Sequence, residues 1–364
     1  MTATDELKAL GDAVHDLVEG SGGAAAARRR FDSTADPGYD EQAWRLLGRD
    51  MGLAGVGIPE SVGGAGGGLA ELTVVAEELG RSLLPVPFLS STVLAGQVLA
   101  RCAGNAAGVL GRLVEGAELV AFAGADGAGC WRPDRLGVAA SGGRLQGSVS
   151  FVLDGMGAGH LVVAARTDAG CDLFLVDAAA DGVARRALET LDPSRAQAGI
   201  TFTDVPATAL TSGGAGAGVV DAAVDVTLAV LAAEQVGGAA ACLDMAVDCA
   251  KIRHQFSRPI GSFQAVKHKL ADMLLLVEMG RSAIDRAVQA EGDVDALGEA
   301  AAVAKIWCSD AYTAAASENV HIHGGMGFTW EHDAHLYFRR SRADEVLLGD
   351  AAVHRERLAA LLSW

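Results

Sequence analysis

Between His321 and Arg340 the chain reads HIHGGMGFTWEHDAHLYFRR, more chemical variety than a packing helix needs. Gly324, Gly325 and Gly327 remove the side chain at three of four consecutive positions. The backbone there is free to take positive φ, and its N–H groups lie open to a ligand or a second chain. Such a turn suits a phosphate or a flat ring. It equally suits an ordinary turn between two helices, and the spacing alone leaves both readings open. A second stretch, RHQFSRPIGSFQAVKHKLADM from Arg253 to Met273, is a basic and aromatic turn punctuated by Pro259 and Gly261. It runs into Val266, Leu270, Met273, Leu274 and Val277, which share one face of a helix.

Taken together, the two stretches resemble the acyl-CoA dehydrogenase family. One family signature is an R-x-x-F-G-x-x-I-x-x-F-Q run leading to A-D-M; Arg253, Phe256, Ile260, Phe263, Gln264, Ala271, Asp272 and Met273 match it. The other is a Q-x-H-G-G-x-G-[FY] turn, met by His323, Gly324, Gly325, Gly327 and Phe328. A third segment, GLAGVGIPESVGGAGGG, is similar to the family's G-L-x-G-x-x-x-P-E-x-x-G-G-x-G through Gly52, Leu53, Pro59, Glu60, Gly63, Gly64 and Gly66.

The resemblance implies α,β-dehydrogenation of an acyl-CoA thioester. A flavin accepts hydride from the β-carbon while a glutamate removes the α-proton. It also implies FAD held between subunits and electron-transferring flavoprotein as the acceptor. Carried over residue by residue, Arg253, Gln255, Phe256 and Gln264 form one side of the FAD site, and His321, Gly324 and Gly325 form the other, on the neighbouring subunit. His321 stands where the family commonly has glutamine, a side chain that can also donate or accept. Each residue has a plainer role as well: Arg253 a surface charge, Phe256 a core ring, His321 a helix cap.

The glutamate is where the chain departs from the pattern. The family's [IL]-[YF]-E-G-T run follows the Gly-Gly pair, and an ungapped count puts Leu348 of VLLGDAA at the acid's position. Some members carry the acid on the first C-terminal helix instead, where the count lands on Thr227. Neither residue takes a proton at neutral pH. Asp350 is the nearest acid, a base if the loop is shifted or else the N-cap of the next helix. Asp344 and Glu345 are expected to face solvent. The family's flavin-facing T-E-P-x-x-G-S-D segment is also missing, the region reading AFAGADGAGCWRPDR.

A chain without its base but with the motifs for the distal FAD resembles one half of an interface site. The family includes such cases, actinobacterial heterotetramers acting on CoA thioesters of steroid side chains. Two other readings stay open: a self-sufficient homo-oligomer using Asp350, and a catalytically silent scaffold of the same fold or a flavin monooxygenase relative.

These residues need elements to carry them. Asp5 to Val18, Gln42 to Met51 and Glu71 to Leu84 read as amphipathic helices. From Leu119 short alternating runs such as HLVVAART and CDLFLVDA give an antiparallel β domain. Val219 to Lys251, Ala265 to Ala290, Leu297 to Glu318 and Ala351 to Leu362 then give a C-terminal four-helix bundle. The expected class is α+β and acyl-CoA dehydrogenase-like: an N-terminal helical domain over 1–115, a middle β domain over 116–212 and a helical bundle over 213–364.

Composition narrows the function. A chain of 364 residues, half of them apolar, has ample core for several packed units. A net charge of −17 with no basic block argues against nucleic acid or an anionic membrane surface. Cys102, Cys130, Cys171, Cys242, Cys249 and Cys308 lack metal or CxxC spacing and read as reduced core thiols. No signal peptide and no membrane-spanning window is read in the chain, so a cytoplasmic protein is expected.

Overall fold

The computed structural model describes residues 3–32 and 38–363. Helices come first: α1 (Ala3–Gly20), α2 (Gly23–Asp32), α3 (Glu41–Trp44), α4 (Leu69–Ser82), α5 (Gly96–Arg101) and α6 (Ala103–Val114). Two π-helical segments, Arg45–Asp50 and Phe88–Ala95, extend α3 and lead into α5. The Phe88–Ala95 segment is buried at every position, and α2 is a run of alanine and arginine. Neither has the two-sided pattern that marks a surface helix, so the amphipathic reading passed over both.

Strands β1 (Val120–Ala123), β2 (Val138–Ser141), β3 (Arg144–Leu153), β4 (His160–Thr167), β5 (Gly170–Asp177), β6 (Val183–Ala187), β7 (Gln197–Pro206) and β8 (Thr208–Ala209) form one sheet. Its order is β6-β7-β3-β2-β4-β5-β8, with β1 against β4. The ladder is antiparallel except that β1 runs parallel to β4 and β2 meets β4 in parallel at Ala139 and Arg166. The sheet has a core of its own around Leu145, Leu161, Val163, Ile200 and Phe202.

The C-terminal part holds α7 (Gly216–Ile252), a two-stranded ribbon of β9 (His254–Gln255) and β10 (Arg258–Pro259), α8 (Gln264–Gln289), α9 (Val294–His323), α10 (Ala334–Val346) and α11 (Ala351–Leu361). The four expected helices are present, and α10 is a fifth. Every residue from Ala223 to Cys242 of α7 is buried, as a helix apolar on all sides must be. This corrects one expectation: α7 is long and apolar enough to cross a membrane, but 72% of the apolar 18-residue window within it is buried inside the protein. It packs on α4 at glycines. A Cβ on Gly80 would sit 1.9 Å from the Glu234 carbonyl, and one on Gly237 would sit 1.9 Å from the Glu77 carbonyl. Only two bare backbones approach that closely.

A loop after β6 docks the sheet onto the helices through buried charge. Arg340 of α10 donates to Asp192, to Glu234 of α7 at 2.8 Å and to the Ser194 hydroxyl at 2.7 Å. Arg195 pairs with Glu234 and lies 3.0 Å from Asp344. Asp344 is 0% exposed, so the expectation that it faces solvent is wrong: its side of α10 turns into the sheet loop.

Candidate functional site

Arg253 begins where α7 ends, and its Nη1 donates to the carbonyls of His323 at 2.8 Å and Ile322 at 3.4 Å. Those are orphan acceptors at the C-terminus of α9, so the guanidinium caps that helix. Gly324 follows with φ 62° and ψ −136°, a conformation open to glycine, and the chain continues as a 3₁₀ turn to Phe328. A Cβ on Gly324 would meet Arg253 Nη1 at 3.3 Å, whereas one on Gly325 would meet nothing within 4 Å. Gly325 therefore presents bare backbone to open space.

The expected FAD residues fall on one surface of one chain. Gln255 and Phe256 lie at the tip of the β9–β10 ribbon, where Phe256 and Ser257 both take positive φ and Phe256 is 88% exposed. Phe263 lies edge-on to Phe256 at 6.1 Å and beneath the Arg258 guanidinium at 4.0 Å, and Gln264 opens α8 in solvent. His321 is exposed, 3.6 Å from Glu318. Two expectations change. The Arg253 turn and the Gly-Gly turn touch within a single chain. Arg253 is already engaged in holding the turn, and Phe256 is no core ring.

Beside the turn lies a cavity of about 530 Å³ lined by Val320, His321, Phe328, Trp330, His335 and Arg339. Its wall is aromatic, with the Arg339 guanidinium 5.3 Å from the rings of both Phe31 and Trp330. Burial and the Arg28 and Arg339 charges push His335 below its usual range, which keeps the ring neutral. Met326, Phe328 and Trp330 are exposed along the same edge. An apolar rim around open backbone is the kind of surface that another molecule covers.

The family's base position lies elsewhere, in the loop between α10 and α11. Lys305, 1% exposed, closes the end of α10 by donating to the carbonyls of Asp344 at 2.7 Å and Glu345 at 3.1 Å. Leu348 follows with φ 59° and faces a cavity of about 330 Å³ shared with Trp131, Asp221 and α11. Asp350 is the N-cap of α11: its Oδ1 accepts from the Ala352 and Val353 N–H groups at 3.0 Å each. Thr227 is fully buried and donates to the Ala223 carbonyl at 2.7 Å.

The acids lining the cavity lie near donors or cations. Asp221 accepts from Trp131 Nε1 at 2.6 Å, Glu356 faces Arg132 at the rim across 3.9 Å, and Asp134 lies 3.7 Å from Arg135. The sequence reading missed the Trp131 contact altogether, since nothing links it to an acid on α7 except the fold. Among the described residues no group of His, Cys, Asp or Glu is arranged to hold a metal ion. All six cysteines are free, five of them buried.

Comparison with known proteins bears on this geometry. The acyl-CoA dehydrogenase C-terminal domain matches residues 214–362, and the N-terminal domain of the same family matches residues 4–107. The chain belongs to the acyl-CoA dehydrogenase family. It is similar to the acyl-CoA dehydrogenase IpdE2 of Mycobacterium tuberculosis, at 35% identity over 96% of this chain and 94% of that protein. Among solved structures, a variant of the Tcur3481-Tcur3483 steroid ACAD aligns with TM-score 0.86 and 32% identity over 100% of this chain and 99% of its own. The ChsE4-ChsE5 complex from Mycobacterium tuberculosis aligns with TM-score 0.86 and 30% identity, over 100% and 98%.

Proposed function

We propose that this chain is one subunit of an FAD-dependent acyl-CoA dehydrogenase and completes its site with a homologous chain that carries the glutamate. The observation that carries this reading is Leu348. A carbon side chain fills the base position, while the nearest acid, Asp350, caps a helix. In favour of a retained cofactor surface, Gly325 faces open space and Phe256 is exposed.

The residues present fit FAD. Gly324 and Gly325 leave room for a backbone approach to a phosphate, Phe256 offers a ring face, and Gln255, Gln264 and His321 lie in solvent, Gln255 with its Nε2 on the His254 carbonyl at 2.8 Å and His321 3.6 Å from Glu318. Arg253 contributes by fixing the turn and by its charge. When bound, the flavin supplies the hydride acceptor. This chain's residues orient the cofactor's distal part, and the exposed Met326, Phe328 and Trp330 exclude water once a partner covers them.

Bulky acyl-CoA esters, including those of steroid side chains, are the substrates this reading favours, by analogy with the steroid ACAD and IpdE2 matches. Electron-transferring flavoprotein is the proposed acceptor, and the cytoplasm the proposed location. The experiment is to purify the chain alone and together with a glutamate-bearing acyl-CoA dehydrogenase from the same source, counting flavin by its visible absorbance. One FAD for each pair of chains, with a colourless lone chain, is the expected result. A lone chain that binds one FAD each and is bleached by an acyl-CoA would overturn it.

A further inference from the structure

The turn that carries Gly324 and Gly325 is bracketed by two histidines. His323 ends α9 and His332 stands two residues before α10 begins. Their rings lie 4.1 Å apart between centroids, tilted by 50°. Gly327 belongs to the same arrangement. A Cβ there would meet the Val320 carbonyl at 3.0 Å and the His323 Cβ at 3.1 Å, so a glycine lets the chain lie this close across the end of α9.

The backbone fixes the proton on each ring. His323 Nδ1 faces the Asn319 carbonyl at 2.9 Å, a contact that needs a hydrogen on that nitrogen. His332 Nδ1 accepts from the Ala334 N–H at 3.0 Å, a contact that needs its nitrogen bare. Asp333, at the N-cap position of α10, makes no capping bond with its side chain and pairs instead with Arg28 of α2. His332 therefore does the work of the cap, satisfying one of the orphan donors of the first turn. It does so only as neutral imidazole, because an imidazolium carries hydrogen on both nitrogens.

The surroundings favour that neutral state. Burial first, and His323 second, push the His332 imidazole below its usual 6.5; Asp333 pulls the other way, opposed by Arg28. His335, the second residue of α10, is held below its usual range by burial, Arg28 and Arg339. Arg253 reaches the pair from the far side, through the His323 carbonyl at 2.8 Å, and Glu331 is exposed to solvent.

We propose that His323 and His332 are positioning residues that clasp the Gly-Gly turn, and that a proton on His332 opens the clasp. Protonation sets a donor against a donor at Ala334 and a new positive charge against Arg28. Residues 324–331 then stay anchored at the α9 end, where Arg253 holds the carbonyls, and come loose at the α10 end. The clasp contributes fully above 6.5 and is lost as pH falls through the lowered folded value, since the unfolded chain takes up the proton first. It rests on the geometry of the turn and not on what the turn binds.

The test is amide hydrogen exchange of the full chain, in the assembly in which it purifies, at pH 7.5 and pH 5.5, with rates corrected for the intrinsic effect of pH. Amides of the turn and the start of α10, residues 325–336, are expected to exchange about tenfold faster at the lower pH, the worth of one hydrogen bond. Amides of the β4–β5 hairpin, residues 160–177, should not change. His332→Asn keeps an acceptor at the place of Nδ1 but takes no proton, so its turn should stay protected at both values. His332→Phe has no acceptor and should exchange fast at both. A wild-type turn that stays closed at pH 5.5, a hairpin that loosens with it, or a His332→Asn turn that opens with acid as wild type does would each overturn the proposal. So would a His332→Phe turn as protected as wild type at pH 7.5, and should that variant fail to fold, the comparison of wild type with His332→Asn decides.

Discussion

Gly324 and Gly325 adjoin in sequence but answer to different demands. Gly324 holds φ 62° and ψ −136°, with the Arg253 guanidinium 3.3 Å from where a Cβ would sit. Gly324→Ala is expected to cost about 1–3 kcal/mol in a denaturant titration, because an L side chain is strained there and its methyl presses on the cap. Gly325 has ordinary φ and empty space where a Cβ would go. Gly325→Ala should therefore shift stability by no more than about 0.5 kcal/mol. Its effect should appear as lost flavin in the complex with the glutamate-bearing chain; undiminished flavin would remove the turn from the cofactor site. The glycines and Arg253 were legible as a site because their types and spacing are local. Their contact was not, since Arg253 and His323 lie 70 residues apart and meet only when α7 and α9 end side by side.

At the scale of elements, α10 and α11 show how a charge pattern misleads. Arg340 and Asp344 look like surface residues in sequence, yet both are buried against the sheet loop, while Asp350 caps α11, one of the two roles its position allowed. The partners of Arg340 are Asp192, 148 residues away, and Glu234, 106 away, beyond the reach of any local pattern. Arg340→Met leaves both acids buried without their cation and is expected to cost about 3–5 kcal/mol by chemical denaturation, loosening the sheet from the helices. Asp350→Ala is milder. Losing an N-cap costs about 1 kcal/mol, and turnover of the assembled complex should be retained. A collapse of turnover in a variant that stays folded would return Asp350 to the role of base. The long helices α7, α8 and α9 were readable because each repeats Ala, Leu and Val at helical spacing over many turns. The segment Phe88–Ala95 was not, because a run buried on every side has no period to read.

At the scale of the whole molecule, the layering of helices, sheet and helices followed from where apolar periodicity changes from helical to alternating. Two buried titrating groups show what that layering does to stability. Burial raises Asp344 from 3.8 to about 6, against the pull of Arg195 and with Glu234 adding to the rise. Its protonation in the folded state adds stability as pH falls from 6 toward 3.8, and the benefit is lost as pH rises through 6. His354 is pushed the other way, from 6.5 to about 4. Its contribution is full above 6.5 and is lost as pH falls toward 4, since the unfolded chain takes up the proton first. Over most of the acid range the two slopes oppose each other, and the wild-type chain should respond weakly to pH through this pair. Single variants should expose each slope. Relative to wild type, Asp344→Asn is expected to lose stability more steeply on acidification through this window, and His354→Gln less steeply, as read from urea midpoints at a series of pH values. Parallel curves for the wild type and both variants would mean that neither group titrates differently in the folded chain, and that water reaches both layers more freely than the packing of α9, α10 and α11 implies.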